Sequence, residues 1–209
     1  MFFKRKSTTL DVIDARRSIN NFDSSKTIDQ LTINKLIEYA TKAPTAFNVQ
    51  NWHFVAVHSA DQKAKLKGAA YGQQKVEDAA VTFIVSGLLE PQNLISRALE
   101  ASEEESVLPK EMVEGWIGAV TNMYGDNPTL QRDEAIRSAS LGGMTLMLAA
   151  QEMGMVSCPM IGFDPEAVKN EFNLPQTAVP AMLIPVGFEG EENWPQKPRL
   201  QIKDVLTIV

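Results

Sequence analysis

The segment Ala43-Pro44-Thr45-Ala46-Phe47-Asn48-Val49-Gln50-Asn51-Trp52-His53-Phe54 joins a helix to a strand through a loop crowded with polar groups. Upstream, Ile33, Leu36, Ile37 and Ala40 recur at helical spacing, and Pro44 stops the pattern because its ring disfavours a helical residue before it. Downstream, Trp52-His53-Phe54-Val55-Ala56-Val57 has the aromatic and β-branched composition of a strand on a buried surface. Between them Thr45, Asn48 and Gln50 offer a hydroxyl and carboxamides, which donate and accept without carrying charge. Such a lining suits a flat heterocycle with mixed donors and acceptors. The same side chains equally serve to tie up the loop's own backbone.

Working outward, residues 10–17 read as a short helix capped by Thr8 or Thr9, delivering Arg16 and Arg17 into the turn at Ser18. Thr27-x-x-Gln30 fits a capping box that opens a helix to about Lys42, and Ser59-x-x-Gln62 repeats the device for a helix through Ala70. Gly68 and Gly72 bracket a turn, residues 73–78 give one more helical turn, and residues 81–86 are apolar and short enough for a central strand. Pro91, the acidic cluster Glu100, Glu103, Glu104 and Glu105, and Pro109 mark two helices with a hinge. In that region Met112, Trp116, Ile117 and Met123 read as a core stripe; the functional alternative is a lid that selects substrates.

Residues 134–153 carry the longest helical pattern, apolar almost all round, with Gly142, Gly143, Ala149 and Ala150 predicted to let another helix come close at a dimer interface. Gly154 is placed as a left-handed terminator, and Asp164-Pro165 as an N-cap followed by proline at the first helical position. Residues 179–187 form the last strand, with Pro185 confining that part to an edge or a bulge. In the tail Leu200, Ile202, Leu206 and Ile208 share one face of an extended chain, which predicts a further strand, in this subunit or added to a partner.

The totals bound the function. A chain of 209 residues without a linker-like break is expected to form a single domain over residues 1–209. A net charge of -6 argues against broad nucleic-acid binding and for a small-molecule partner. Cys158, the single cysteine, excludes an internal disulfide framework and fits a reducing cytoplasm; a buried structural thiol is its expected role. The basic N-terminal stretch has no apolar core behind it, so it does not read as a secretory signal, and no run approaches the roughly 20 apolar residues that span a bilayer. No metal site is expected, since His53 and His58 would face opposite sides of a strand. P-loop and Rossmann fingerprints are absent from the sequence, as is any acid–base or nucleophile constellation, so the loop chemistry calls for a cofactor that does the reacting.

With Ala15-Arg16-Arg17-Ser18-Ile19-Asn20-Asn21-Phe22 beside the Pro44 loop, the chain resembles the nitroreductase family of flavin mononucleotide (FMN) enzymes. Their signature is an Arg-x-Ser-x-basic segment followed by an Ala-Pro-Ser-x-x-Asn-x-Gln-Pro-Trp loop. Ala70-Tyr71-Gly72-Gln73, the long helix near residues 141–150, Cys158-Pro159-Met160-Ile161-Gly162-Phe163 and Lys197-Pro198-Arg199 continue the resemblance in the family's order. It implies an α+β fold, a mainly antiparallel central sheet flanked by helices, and a homodimer with two FMN sites at the interface.

It further implies that Arg16, Ser18, Lys197 and Arg199 hold the phosphate and ribityl chain, with Asn20 assisting. Arg17 belongs to the same segment, although adjacent arginines point apart and it reads as a solvated charge. Pro44, Thr45 and Asn48, from either subunit, would line the ring; Gln73 and Lys75 would lie beside its pyrimidine edge. The loop Pro159, Met160, Ile161 and Gly162 would present a backbone N–H to flavin N5. Two positions depart from the pattern: Asn20 stands where a second basic residue is usual, and Asn51 replaces a proline, which is expected to loosen the loop slightly. By resemblance the activity is ping-pong: NADH or NADPH gives a hydride to the flavin and leaves, and a nitroaromatic or quinone then takes two electrons. A flavin-binding sensor or reservoir, and a specialised reductase such as a dehalogenase or enone reductase, are the alternatives.

Overall fold

The computed structural model describes residues 8–209, so the N-terminal reading, which rests mainly on residues 1–7, lies outside the described residues. Four strands, β1 (Trp52–Val57), β2 (Val81–Leu88), β3 (Val156–Ser157) and β4 (Ala178–Gly187), form one antiparallel sheet in the order β1-β2-β4-β3. The α+β class with an antiparallel sheet is the one expected. The helices are α1 (Thr9–Ala15), α2 (Gln30–Ala40), α3 (Ala60–Ala69), α4 (Lys75–Asp78), α5 (Ile95–Glu104), α6 (Lys110–Tyr124), α7 (Pro128–Glu152), α8 (Pro165–Glu171) and α9 (Ile202–Val205).

Strand alternation divides the core. Val81, Phe83 and Val85 of β2 face α7 and α2, where Leu36, Ala139, Leu146 and Ala150 join them. Ile84 and Leu183 face the other way, against Leu66 of α3 and Val168 of α8. Each large side chain among these stabilises the fold by about 1.5–3 kcal/mol when fully buried, against tenths for helix propensity, so packing holds α2 and α7 in place. A smaller cluster, Val49, Ile95, Leu99, Val113, Val120 and Tyr124, unites the Pro44 loop with α5 and α6.

Several local expectations are corrected. The cap of α2 is Asp29, whose carboxylate accepts from Thr32 N–H, and the predicted box at Thr27 does not form. A carboxylate in the N-cap position accepts an orphan N–H and complements the helix dipole there. Helix α7 starts six residues before Glu134, because Asn127 caps it and Pro128 is pre-shaped for its first turn. Gly154 does follow α7 with φ of 79°. A Cβ at Gly142 would stand 3.0 Å from the Phe54 ring, and one at Gly143 3.2 Å from Ile184 and Met182, so these glycines admit the sheet and not a second helix.

Pro185 is interior to the sheet, paired with Thr82, while the register irregularity falls nearer Pro180. It is tolerated because its carbonyl accepts from Cys158 N–H at 3.1 Å, so its missing donor lies on the side where the chain leaves the sheet. Within the predicted core stripe only Trp116 and Ile117 pack inward; Met112 and Met123 are exposed, since Val113, Val120 and Tyr124 form the inner face of α6. The tail forms no strand: it contains the one-turn α9, and Leu200, Ile202, Leu206 and Ile208 are exposed. Among the described residues no helix is long and apolar enough to cross a membrane.

Candidate active site

After α1 the chain runs beside β3, with Ile19 N–H donating to the Ser157 carbonyl at 3.1 Å and Ser18 bridging to Ser157. The C-terminal segment closes over the same stretch. Asn193 Oδ1 accepts from the N–H groups of Asn20 and Asn21 at 2.9 and 3.0 Å, and Gln196 Nε2 donates to the Arg16 carbonyl at 3.3 Å. Lys197 and Arg199 follow directly, exposed, with the Lys197 ammonium 5.3 Å from the centre of the Trp194 ring and an Arg199 guanidinium N–H donating to the Lys197 carbonyl at 2.7 Å.

Helix α4 delivers Lys75 to this cluster: its ammonium donates to Asn20 Oδ1 at 2.9 Å and lies 3.7 Å from Cys158 Sγ. The buried thiol expected at Cys158 is present, with a lysine beside it that spacing in the sequence does not disclose. Gln73 Nε2 donates to the Gly162 carbonyl at 2.6 Å, and a Cβ at Gly162 would come 2.9 Å from that nitrogen. Met160 is pinned to the sheet by reciprocal bonds with Leu183, both 2.9 Å, after which Ile161 swings out to 81% exposure. The N–H groups of Ile161 and Gly162 make no backbone hydrogen bond among the described residues.

The electrostatics of the cluster are unfinished. Arg16 Nη1, Arg17 Nε and Ser157 Oγ are buried and have no hydrogen-bond partner among the described residues. A buried guanidinium nitrogen lacking an acceptor is costly, and an anionic oxygen is the group that satisfies it. The outer end of Arg17 is committed to an ion pair with Glu189, so Arg17 is half-buried and paired where the sequence read it as a solvated charge. The donor set around Arg16 therefore fits a phosphate.

The loop of Pro44, Thr45 and Asn48 stands apart. Thr45 Oγ1 accepts from Gln50 N–H at 3.0 Å, which is the self-tying reading of that side chain. Phe47, Asn48 and Gln50 all have positive φ (53°, 54° and 49°), and Phe47 packs edge-on to Trp116 with ring centres 6.0 Å apart. This loop enters the sheet where Trp52 pairs with Gly87, whereas Ser157 sits beside Val186, which pairs with Val81. Six residue steps along β2, from Val81 to Gly87, separate the two ends by about 20 Å. One chain thus brings together segment 16–20, Gln73, Lys75, loop 158–162 and the approach to Lys197, and leaves Pro44, Thr45 and Asn48 at the far end of the sheet. Asn51 ties the end of the loop to β2: its Nδ2 donates to the Leu88 carbonyl at 2.9 Å and its main-chain carbonyl accepts from Leu88 N–H at 2.7 Å.

Sequence reading missed Asn193, Gln196 and Glu189, which lie in a loop of glycine, acid and proline where no periodicity points anywhere. It also missed buried Glu134, which accepts from Tyr124, Arg137 and Ser138. The spacing of Glu134, Arg137 and Ser138 along one helical turn was the available signal. His58, one residue beyond β1, has its Nε2 3.0 Å from the Ile28 carbonyl.

An antiparallel sheet packed against one long helix, with a phosphate-fitting cluster at its rim, defines the class to which this protein belongs. The family model described as "Nitroreductase family" matches residues 13–188, and the chain belongs to that family; it is an oxidoreductase by that membership. MhqN of Bacillus subtilis (strain 168), described as an NAD(P)H nitroreductase, is 36% identical over 189 residues, covering 90% of this chain and 91% of its own. The crystal structure of an Exiguobacterium sibiricum protein described as a nitroreductase, in complex with FMN, superposes with a TM-score of 0.90 at 26% identity, covering 97% of this chain and 98% of that one. The CLA biosynthesis enone reductase of Lactiplantibacillus plantarum is 28% identical over 186 residues, covering 87% and 86% of the two chains.

Proposed function

We propose that this chain is a single-domain, FMN-dependent NAD(P)H oxidoreductase that passes two electrons to an electron-poor acceptor such as a nitroaromatic or quinone. The observation that carries the cofactor reading is the buried, unpartnered Arg16 Nη1 at the point where Gln196 brings the Lys197 and Arg199 segment alongside. FMN, when bound, supplies the reversible two-electron chemistry that no side chain here provides.

The chain's own residues do the rest. Arg16, Ser18, Lys197 and Arg199 hold the phosphate and ribityl end, where charge-assisted bonds are the stronger kind. Gln73 and Lys75 face the edge of the ring that gains negative charge on reduction. The N–H groups of Ile161 and Gly162 would serve its reactive nitrogen, in a loop that Met160 fixes to β4. Pro159 starts that loop, and Ile161 brings no acidic side chain to it.

The ring lining of Pro44, Thr45 and Asn48 comes from a second copy of the chain, since about 20 Å of sheet separates it from the phosphate cluster within one copy. The exposed Leu141 and Met144 on α7 and the apolar tail are surfaces for that homodimer. The single buried cysteine accords with work in the cytoplasm. A steady-state assay tests the reading: loss of NADH or NADPH that depends on added nitro compound or quinone supports it, whereas bound FMN without such turnover favours a sensor or reservoir. The enone reductase relative makes an activated carbon–carbon double bond the second acceptor to assay.

A further inference from the structure

Asn20 occupies the place where the family pattern has a second basic side chain, and the structure shows what stands there instead. Its backbone is fixed, the N–H donating to Asn193 Oδ1 at 2.9 Å, and its Oδ1 accepts from the Lys75 ammonium at 2.9 Å. Cys158 Sγ, 3.7 Å from the nitrogen, flanks the same ammonium. These residues come from a loop after α1, from α4 and from the end of β3, and no carboxylate is bonded to Lys75 among the described residues. The positive charge of Lys75 is therefore uncompensated within the cluster. A carboxamide plus one hydrogen bond spans about the length of an extended lysine stem, so the ammonium stands close to where a basic side chain at position 20 would carry its charge.

We infer that Asn20 is a positioning residue that holds Lys75 in place of the missing basic side chain, so that one borrowed ammonium faces the edge of the bound flavin that becomes anionic on reduction. The inference rests on the FMN reading above. Its physical content is that a cation fixed beside developing negative charge favours the reduced form, and that a neutral acceptor fixes it without cancelling its charge. A carboxylate in place of Asn20 would hold Lys75 as well and cancel its charge.

The test uses the full chain loaded with FMN and reads two quantities, the FMN dissociation constant and the midpoint potential of the bound flavin by spectroelectrochemistry. Lys75→Gln shifts the potential to more negative values. Asn20→Ala shifts it the same way by part of that amount, although it removes no charge, and Asn20→Asp shifts it as far as Lys75→Gln while keeping the hydrogen bond. The double variant Asn20→Lys/Lys75→Gln returns the potential towards that of the unaltered protein. Asn20→Asp and the double variant keep a polar group at the position should Asn20→Ala fail to fold. A potential unmoved in Asn20→Ala or Asn20→Asp, or a double variant no different from Lys75→Gln, overturns the inference and leaves the cofactor reading standing. Failure of the unaltered protein to bind FMN overturns both.

Discussion

Gln196 Nε2 donates to the main-chain carbonyl of Arg16 at 3.3 Å, joining residues 180 apart in sequence. The contact sets the last basic pair of the chain beside the first. Arg199→Ala is expected to weaken FMN binding by about 1.5–3 kcal/mol, the range for hydrogen bonds to a charged group. Arg16→Ala should cost at least as much, because its buried Nη1 has no acceptor among the described residues. Titration of the apoprotein with FMN by fluorescence quenching measures both, and an unchanged dissociation constant would remove that arginine from the site.

Gly87 lies where α7 presses on the sheet. A Cβ there would overlap the backbone carbonyl of Ala135, a part of α7 that has no rotamer to yield. Gly87→Ala should therefore destabilise the protein by about 3 kcal/mol or more, at the upper end for overpacking. A methyl group at Gly118, on α6, would meet nothing within 4 Å, so Gly118→Ala should stabilise by about 0.5–1 kcal/mol. Urea unfolding of the two variants gives opposite displacements of the midpoint if the α7–sheet contact is as described.

Tyr124 donates to buried Glu134 at 3.1 Å, and burial, reinforced by the Glu134 charge, pushes its phenol up to about 12 from an ordinary 10.0. A raised folded value means that the neutral phenol favours the fold. That contribution is complete below about pH 10 and is lost as pH rises towards 12. Unfolding free energy should fall with pH across that window, and Tyr124→Phe should flatten the slope while costing about 1 kcal/mol near neutrality for the lost bond. An equal slope in the variant would assign the pH dependence to other groups.

Asn51 is buried and ties the end of the Pro44 loop to Leu88. Asn51→Ala should lower stability by about 1 kcal/mol, with the Leu88 carbonyl left without its side-chain donor. Thermal unfolding at matched FMN saturation separates this from any change in cofactor affinity. The sequence did not disclose this tie, because the carbonyl that Asn51 reaches lies on the neighbouring strand, 37 residues away.

The same distinction runs through the molecule. Elements marked by local chemistry were legible: Thr8 and Asp164 as caps, the apolar run of β2, Pro91 and Pro109 as helix boundaries, Gly154 as a terminator. The segment order also pointed to the family, whose model spans residues 13–188. What stayed hidden depends on contacts remote in sequence. The small residues of α7 look the same whether a helix or a strand fills the space they leave, and only the positions of Phe54 and Ile184 decide it. Asn193 lies in a loop without periodicity, and its partner Asn20 is 173 residues away. The apolar spacing of the tail fitted a strand, but an isolated strand needs a neighbour to bond its backbone, and among the described residues none is in place.

In the proposed site Arg16, Lys75, Gln73 and the 197–199 segment converge on one flavin. The most direct test of that convergence is the visible absorption spectrum of the purified full chain after addition of FMN and removal of the unbound excess. A retained flavin band near one equivalent per chain, bleached when NADH or NADPH is added, is the expected result. A colourless protein that retains no FMN, with its fold intact by circular dichroism, would contradict it.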